Sequence, residues 1–201
     1  MKKFQNKYRI PSARKENWDY ATNGAYFVTI CCQNHERYFG EVENKQMQLN
    51  EMGRLAMEIW SKIPQQFSFV YLGEFVIMPN HMHGIIIIDH DNCRDAIHRV
   101  SEYPVIDCVS DQDAINCVPA GFNVGKGGIT GNHNPMLHEN LSRVVRWYKG
   151  RVTYEVRKNY ADFVWQSRFH DHIIRSQNSY DRIADYIVNN PSNWKKDKFF
   201  G

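Results

Sequence analysis

The chain has 201 residues, 42% hydrophobic and 13% aromatic, which is enough to build the core of a single domain and excludes a chain disordered throughout. Its formal net charge of +3 is too small to announce a nucleic-acid ligand, so any basic surface has to be local. The N-terminal MKKFQNKYRIPSARKENW is basic but lacks the apolar core of a secretory signal. No segment reaches the roughly 18 apolar residues of a membrane span, so a cytoplasmic protein with no membrane partner is expected.

YFVTICCQ (26–33), β-branched and aromatic, predicts a first strand. Asn50 is a plausible N-cap for a helix over 51–63, in which Leu55, Ile59 and Ile63 recur every four residues and Pro64 is the expected stop. FVYLGEFVIM (69–78) predicts a second strand, and Pro79-Asn80 makes a turn into HMHGIIII (81–88). This third strand is apolar on both faces and therefore belongs in the middle of a sheet.

From Asp89 to about His138 the periodicity dissolves into polar sequence ending in GFNVGKGGITGNHNP, so 89–138 is expected to be a flexible insertion. Order returns over 139–160, where Leu141, Val144, Val145, Tyr148, Val152 and Val156 mark one face of a helix and Arg143, Arg146 and Lys149 another. FVWQSRFHDHIIRS (163–176) predicts a fourth strand. SYDRIADYIVNNP (179–191) predicts a last helix, opened by a serine cap and closed by Pro191. Without the insertion the order is βαββαβ: an α+β, ferredoxin-like four-stranded antiparallel sheet with an extra C-terminal helix, in one domain spanning 1–201. In that arrangement the first and third strands are central, as the third strand's composition requires.

His81 and His83 lie two apart on a strand, so both imidazoles project from one face, as a metal site needs. The alternative is a hydrogen-bonded pair at a strand end, and the spacing leaves both readings open. His170 and His172 form a second such pair, more solvated because Asp171 separates them; His172 could approach the same site or a phosphate. Tyr186 and Asn190 are four apart on the last helix and share a face. A tyrosine can form a covalent intermediate and an amide oxygen can ligate a hard divalent ion, although packing and a C-terminal cap would also account for the pair. The five cysteines (Cys31, Cys32, Cys93, Cys108, Cys117) form no C-x-x-C pair and are read as reduced.

The ordered set MPNHMHGII (78–86), LSRVVRWYKGRVT (141–153), VWQSRFHDHIIR (164–175) and DRIADYIVNNP (181–191) resembles the single-tyrosine HUH transposases, and most closely their REP-associated branch. The resemblance implies an enzyme that cuts and rejoins single-stranded DNA through a 5′-phosphotyrosine, often at hairpin-forming repeats. It implies His81 and His83 as ligands of Mg²⁺ or Mn²⁺, Tyr186 as nucleophile, and Asn190, where relatives often carry Gln, as the third ligand. DNA contacts are then expected from Arg143, Arg146, Lys149, Arg168, Arg175 and His172, with Trp165 and Phe169 available for base stacking. The chain would act as a monomer or homodimer. The competing expectation is a hairpin-binding protein that has given up cleavage.

Overall fold

The computed structural model describes residues 18–91 and 139–200, together with the backbone of 3–4 and 7–8. A short antiparallel ribbon joins β1 (Lys3–Phe4) to β2 (Lys7–Tyr8). Then come β3 (Gly24–Cys31), a hairpin of β4 (Gly40–Glu43) and β5 (Gln46–Leu49), α1 (Glu51–Ser61), α2 (Ile63–Gln66), β6 (Val70–Ile77) and β7 (His81–Ile88). After the expected insertion, which from residue 92 lies outside the described residues, follow α3 (Leu141–Val156), β8 (His170–Ile174) and α4 (Gln177–Asn193). Among the described residues no helix is long and apolar enough to cross a membrane.

The main sheet runs β6-β7-β3-β8, antiparallel throughout, which is the ferredoxin-like order with the expected first and third strands in its centre. Alternation along β7 sorts its side chains between two cores. Met82 and Ile86 join the main core beneath α1 and α3, whereas Ile85 packs with Ile187 of α4 on the opposite face. On the α1 side, a Cβ on Gly84 would lie 2.5 Å from the Trp60 ring, so the missing side chain is what lets the indole come this close to the strand. Across the sheet, a Cβ on Gly73 would meet the Tyr180 hydroxyl at 2.5 Å, and the β6–β7 register shift falls at this point of close approach to α4.

Three expected boundaries shift. Helix α1 ends at Ser61, and Pro64 lies in the first turn of the short α2 instead of only stopping α1, since a first turn leaves its N–H groups unbonded and proline, which has none, forfeits nothing there. The expected strand 163–176 contracts to His170–Ile174. Upstream of it Trp165 makes one isolated bridge to Cys32 and turns its ring into the Phe39–Phe163 cluster, while Lys149 Nζ holds the Gln166 carbonyl at 2.5 Å. Helix α4 starts two residues before Ser179, capped by Ser176, whose Oγ accepts from Ser179 N at 3.3 Å. It runs past Pro191, which lies in its last turn and forfeits only the bond to the Ile187 carbonyl.

Candidate functional site

His81 and His83 leave β7 on the α4 face, both fully buried. Their Nε2 atoms are 3.1 Å apart, and each Nδ1 is tied elsewhere. His81 Nδ1 lies 2.8 Å from Asn80 Oδ1, and the Asn80 amide is oriented by donating its Nδ2 to the carbonyls of Phe199 (2.7 Å) and His35 (3.2 Å). Its oxygen therefore faces the ring, which puts the proton of His81 on Nδ1 and the lone pair on Nε2, a tautomer assigned from the network. His83 Nδ1 lies 2.8 Å from Thr29 Oγ1, on the central neighbour β3.

With the His81 lone pair on Nε2, the 3.1 Å approach of His83 Nε2 is satisfied either by a proton on His83 Nε2 or by a cation between the rings. Two imidazole nitrogens converging on one point are a donor set able to ligate a metal. Burial drives the His81 pKa down to about 3, with His35 and Lys198 adding to the effect, and lowers His83 in the same direction. Both rings are thereby kept in the neutral form that binds metal.

Above the pair stands α4. Tyr186 is 43% exposed, its hydroxyl 3.2 Å from His83 Nε2 and 3.4 Å from Asp197 Oδ2. Phe27 fixes the rings from below, stacked on His83 at 5.2 Å and edge-on to Tyr186 at 6.1 Å. Partial burial, and then the Asp197 carboxylate, push the Tyr186 phenol up to about 12. Asn190 is buried on the same helical face; its Nδ2 donates to Asp197 Oδ2 at 3.0 Å, while its Oδ1, the atom a metal would need, has no hydrogen-bond partner among the described residues.

Sequence reasoning missed Asp197. It follows the 3-10 turn at Trp194–Lys196, and the backbone N–H of Phe199 clamps its Oδ1 at 2.8 Å. Phe199 in turn packs on His81 with ring centroids 4.5 Å apart. One ligand atom each from His81, His83 and Asp197 lies within 4.8 Å of the others, a two-nitrogen, one-oxygen set able to hold a divalent ion. The adjacent NNPSNWKKD carries no periodic signal that would have singled this carboxylate out.

The expected DNA-contacting side chains do not gather here. Arg143, Arg146 and Lys149 belong to α3, across the sheet from the histidines. Arg143 pairs with Glu139 at 3.8 Å, and half-buried Lys149 is spent on the Gln166 carbonyl. Arg146 is exposed and lines an open groove of about 980 Å³ with Tyr154, Arg157, Val164 and Phe169. Trp165 is only 7% exposed, so its indole is core and offers no stacking surface. Arg168 and Arg175 are exposed at either end of β8, the latter over the Trp18 ring, and His172 is exposed on β8 itself. Tyr148, read as core, is fully buried.

A protein of Haemophilus influenzae described as uncharacterized is 35% identical to this chain over 190 residues, which cover 94% of this chain and 92% of the relative. The chain belongs to the same family as that protein. No family model matches. Among solved structures, a REP-associated tyrosine transposase bound to a REP hairpin aligns with a TM-score of 0.49 at 19% identity, over 90% of this chain and 73% of that one. A candidate transposase of Deinococcus radiodurans aligns with a TM-score of 0.40 at 12% identity, over 88% of this chain and 97% of that one.

Proposed function

We propose that this protein is a single-tyrosine HUH transposase that cleaves and rejoins single-stranded DNA through Tyr186. The observation that carries the reading is the 3.2 Å approach of the Tyr186 hydroxyl to Nε2 of His83, within a pair of neutral imidazoles whose Nε2 atoms face each other. A phenol held at a candidate metal-binding pair is the arrangement a tyrosine nucleophile requires, and a purely structural tyrosine has no need of it.

His81, His83 and Asp197 would hold the ion, Mg²⁺ or Mn²⁺, with Asn190 Oδ1 available if its amide turns over. Bound there, the ion supplies Lewis acidity to a non-bridging phosphate oxygen. The chain's own residues do the rest. Thr29 and Asn80 fix the two imidazoles from behind, so the ligand atoms keep their aim. Phe27 sets the pitch of the tyrosine ring. The Tyr186 oxygen attacks phosphorus as its proton leaves to solvent, and the P–O3′ bond breaks. The 3′ oxygen takes up a proton, and the product is a 5′-phosphotyrosine beside a free 3′-hydroxyl. Because one phosphate ester replaces another, a different 3′-hydroxyl can reverse the step and join a new strand without a nucleotide cofactor.

A duplex stem would be gripped on the other side of the sheet, where Arg146, Arg157 and Tyr154 line the α3 groove. The test is incubation of the protein with labelled single-stranded DNA and Mn²⁺: the reading requires a covalent adduct on a peptide containing Tyr186. A hairpin-binding protein that has given up cleavage would bind the same DNA and form none.

A further inference from the structure

The α4 helix packs mainly on β6 and β7 and reaches Phe27 and Ile174 from above, while His170 and His172 at the β8 margin of the same face are exposed. Directly paired residues of antiparallel strands share a face, so the register fixes what lies on that margin. His83 pairs with Thr29, and Thr29 with His170; Ile85 pairs with Phe27, and Phe27 with His172. One row therefore runs from His83 to the sheet edge at His170 and the next from Ile85 through Phe27 to His172, and at two strand spacings His170 lies roughly 10 Å from His83. His170 and His172 are exposed, Phe27 is half-buried, and Phe27 touches both His83 and Tyr186. Asp171 alternates to the opposite side, so no carboxylate separates the two imidazoles on this face.

We propose that Phe27, His170 and His172 form a binding subsite for the single strand flanking the scissile phosphate. The imidazole N–H groups donate to its phosphodiester oxygens, and Phe27 packs under a sugar or base. The subsite rests on the reading of Tyr186 as the nucleophile that attacks DNA. Three observations select a nucleic-acid strand as occupant. The shelf is continuous with the tyrosine ring through Phe27. Its polar groups are nitrogen donors, with exposed Arg168 just before β8 and exposed Arg182 one helical turn before Tyr186. Among the described residues, no third metal-ligating side chain joins the histidine pair, which argues against a second ion there.

The experiment starts from a randomised pool of single-stranded oligonucleotides incubated with the full chain and Mn²⁺; sequences captured covalently are resynthesised singly. Adduct formation is then compared between the wild type and a His170→Gln/His172→Gln double variant, in which glutamine keeps the edge strand polar. The expected result is a rise of roughly tenfold in the oligonucleotide concentration giving half-maximal rate, for two charge-assisted hydrogen bonds weakened, with the saturated rate within about twofold and Mn²⁺ half-saturation unchanged. Truncating the oligonucleotide on one side of the cleavage point should erase the difference; truncating the other side should not. An unchanged half-saturation, a difference surviving both truncations, or a loss of bound Mn²⁺ in the double variant would each overturn the subsite. If the wild type captures nothing from the pool, the nucleophile reading fails instead and the subsite falls with it, an outcome distinct from capture that is indifferent to the two histidines.

Discussion

The Tyr186 hydroxyl lies 3.2 Å from His83 Nε2 across 103 residues of chain, and Asp197 Oδ2 takes the same hydroxyl from the other side at 3.4 Å. The first contact is long-range and the second spans 11 residues. The first exists because β7 is central and α4 crosses its outer face, the second because the 3-10 turn after α4 folds the chain back over the histidines. A single phenol is thereby held between a candidate metal pair and a carboxylate, and this shared position has consequences that can be measured.

The two imidazoles should be needed jointly. With so few ligands, losing either histidine leaves too little to hold a weakly bound ion. In calorimetry His81→Ala and His83→Ala should each weaken Mn²⁺ binding by roughly a hundredfold or more while circular dichroism remains native. Wild-type Mn²⁺ affinity in either variant would place the ion elsewhere.

Asp197 should contribute to the raised pKa of Tyr186. Partial burial is the larger cause of the Tyr186 pKa of about 12, and the negative charge of Asp197 adds to it by disfavouring the phenolate. Removing that charge in Asp197→Asn should bring the pKa back toward the ordinary tyrosine value of about 10. Phenolate absorbance of metal-free protein, taken as the difference from a Tyr186→Phe reference, measures it. The same variant should bind Mn²⁺ less tightly, so its titration midpoint and its metal affinity should fall together. A midpoint that stays put would mean that burial alone perturbs the tyrosine.

Acid should destabilise the metal-free protein earlier than its carboxylates would demand. His81 has a folded pKa of about 3, below the roughly 6.5 of an unfolded histidine, so between these values the unfolded chain binds more protons. Stability is therefore full above pH 6.5 and is lost as pH falls toward 3. For His81 alone the loss is about 2 kcal/mol by pH 5, at about 1.4 kcal/mol per unit, and His83 shifts in the same direction. Urea midpoints in chelator at about pH 7.5 and 5 would show it, and His81→Asn should flatten the slope. Equal midpoints in the wild type would contradict the burial of neutral rings.

Gly84 should be intolerant of any side chain. A Cβ would lie 2.5 Å from the ring of fully buried Trp60, itself wedged against Tyr148 at a ring separation of 5.1 Å. Gly84→Ala should cost about 1–3 kcal/mol in chemical denaturation. Because the strain falls between the histidine pair and the isoleucines behind it, Mn²⁺ affinity should drop as well. A variant as stable as the wild type would mean that Trp60 can move.

The parts of the molecule visible in the sequence are those governed by a short repeat. The period of two in HMHGIIII put both imidazoles on one face, its apolar character on both faces put β7 in the sheet centre, and the i,i+4 spacing aligned Tyr186 with Asn190. The β4–β5 hairpin went unread although Val42, Met47 and Leu49 alternate with polar neighbours. Its turn depends on Asn44 and Lys45 in the left-handed region (φ 49° and 64°), and a lysine there gives little warning. The sequence leaves Trp165 available for base stacking, yet its ring turns inward onto Phe39 and Phe163, a choice that only the tertiary fold makes. Asp197 is the clearest case. It acts through a 3-10 turn and a backbone clamp, and neither has a period to detect.

The most direct measurement of the central claim is mass spectrometry of the protein after incubation with single-stranded DNA and Mn²⁺. The account predicts a metal-dependent, denaturation-resistant adduct on the peptide containing Tyr186, abolished by Tyr186→Phe although that variant still binds DNA with near-wild-type affinity. An adduct that survives in Tyr186→Phe, or strand cleavage that releases product with no adduct at any time, would contradict it.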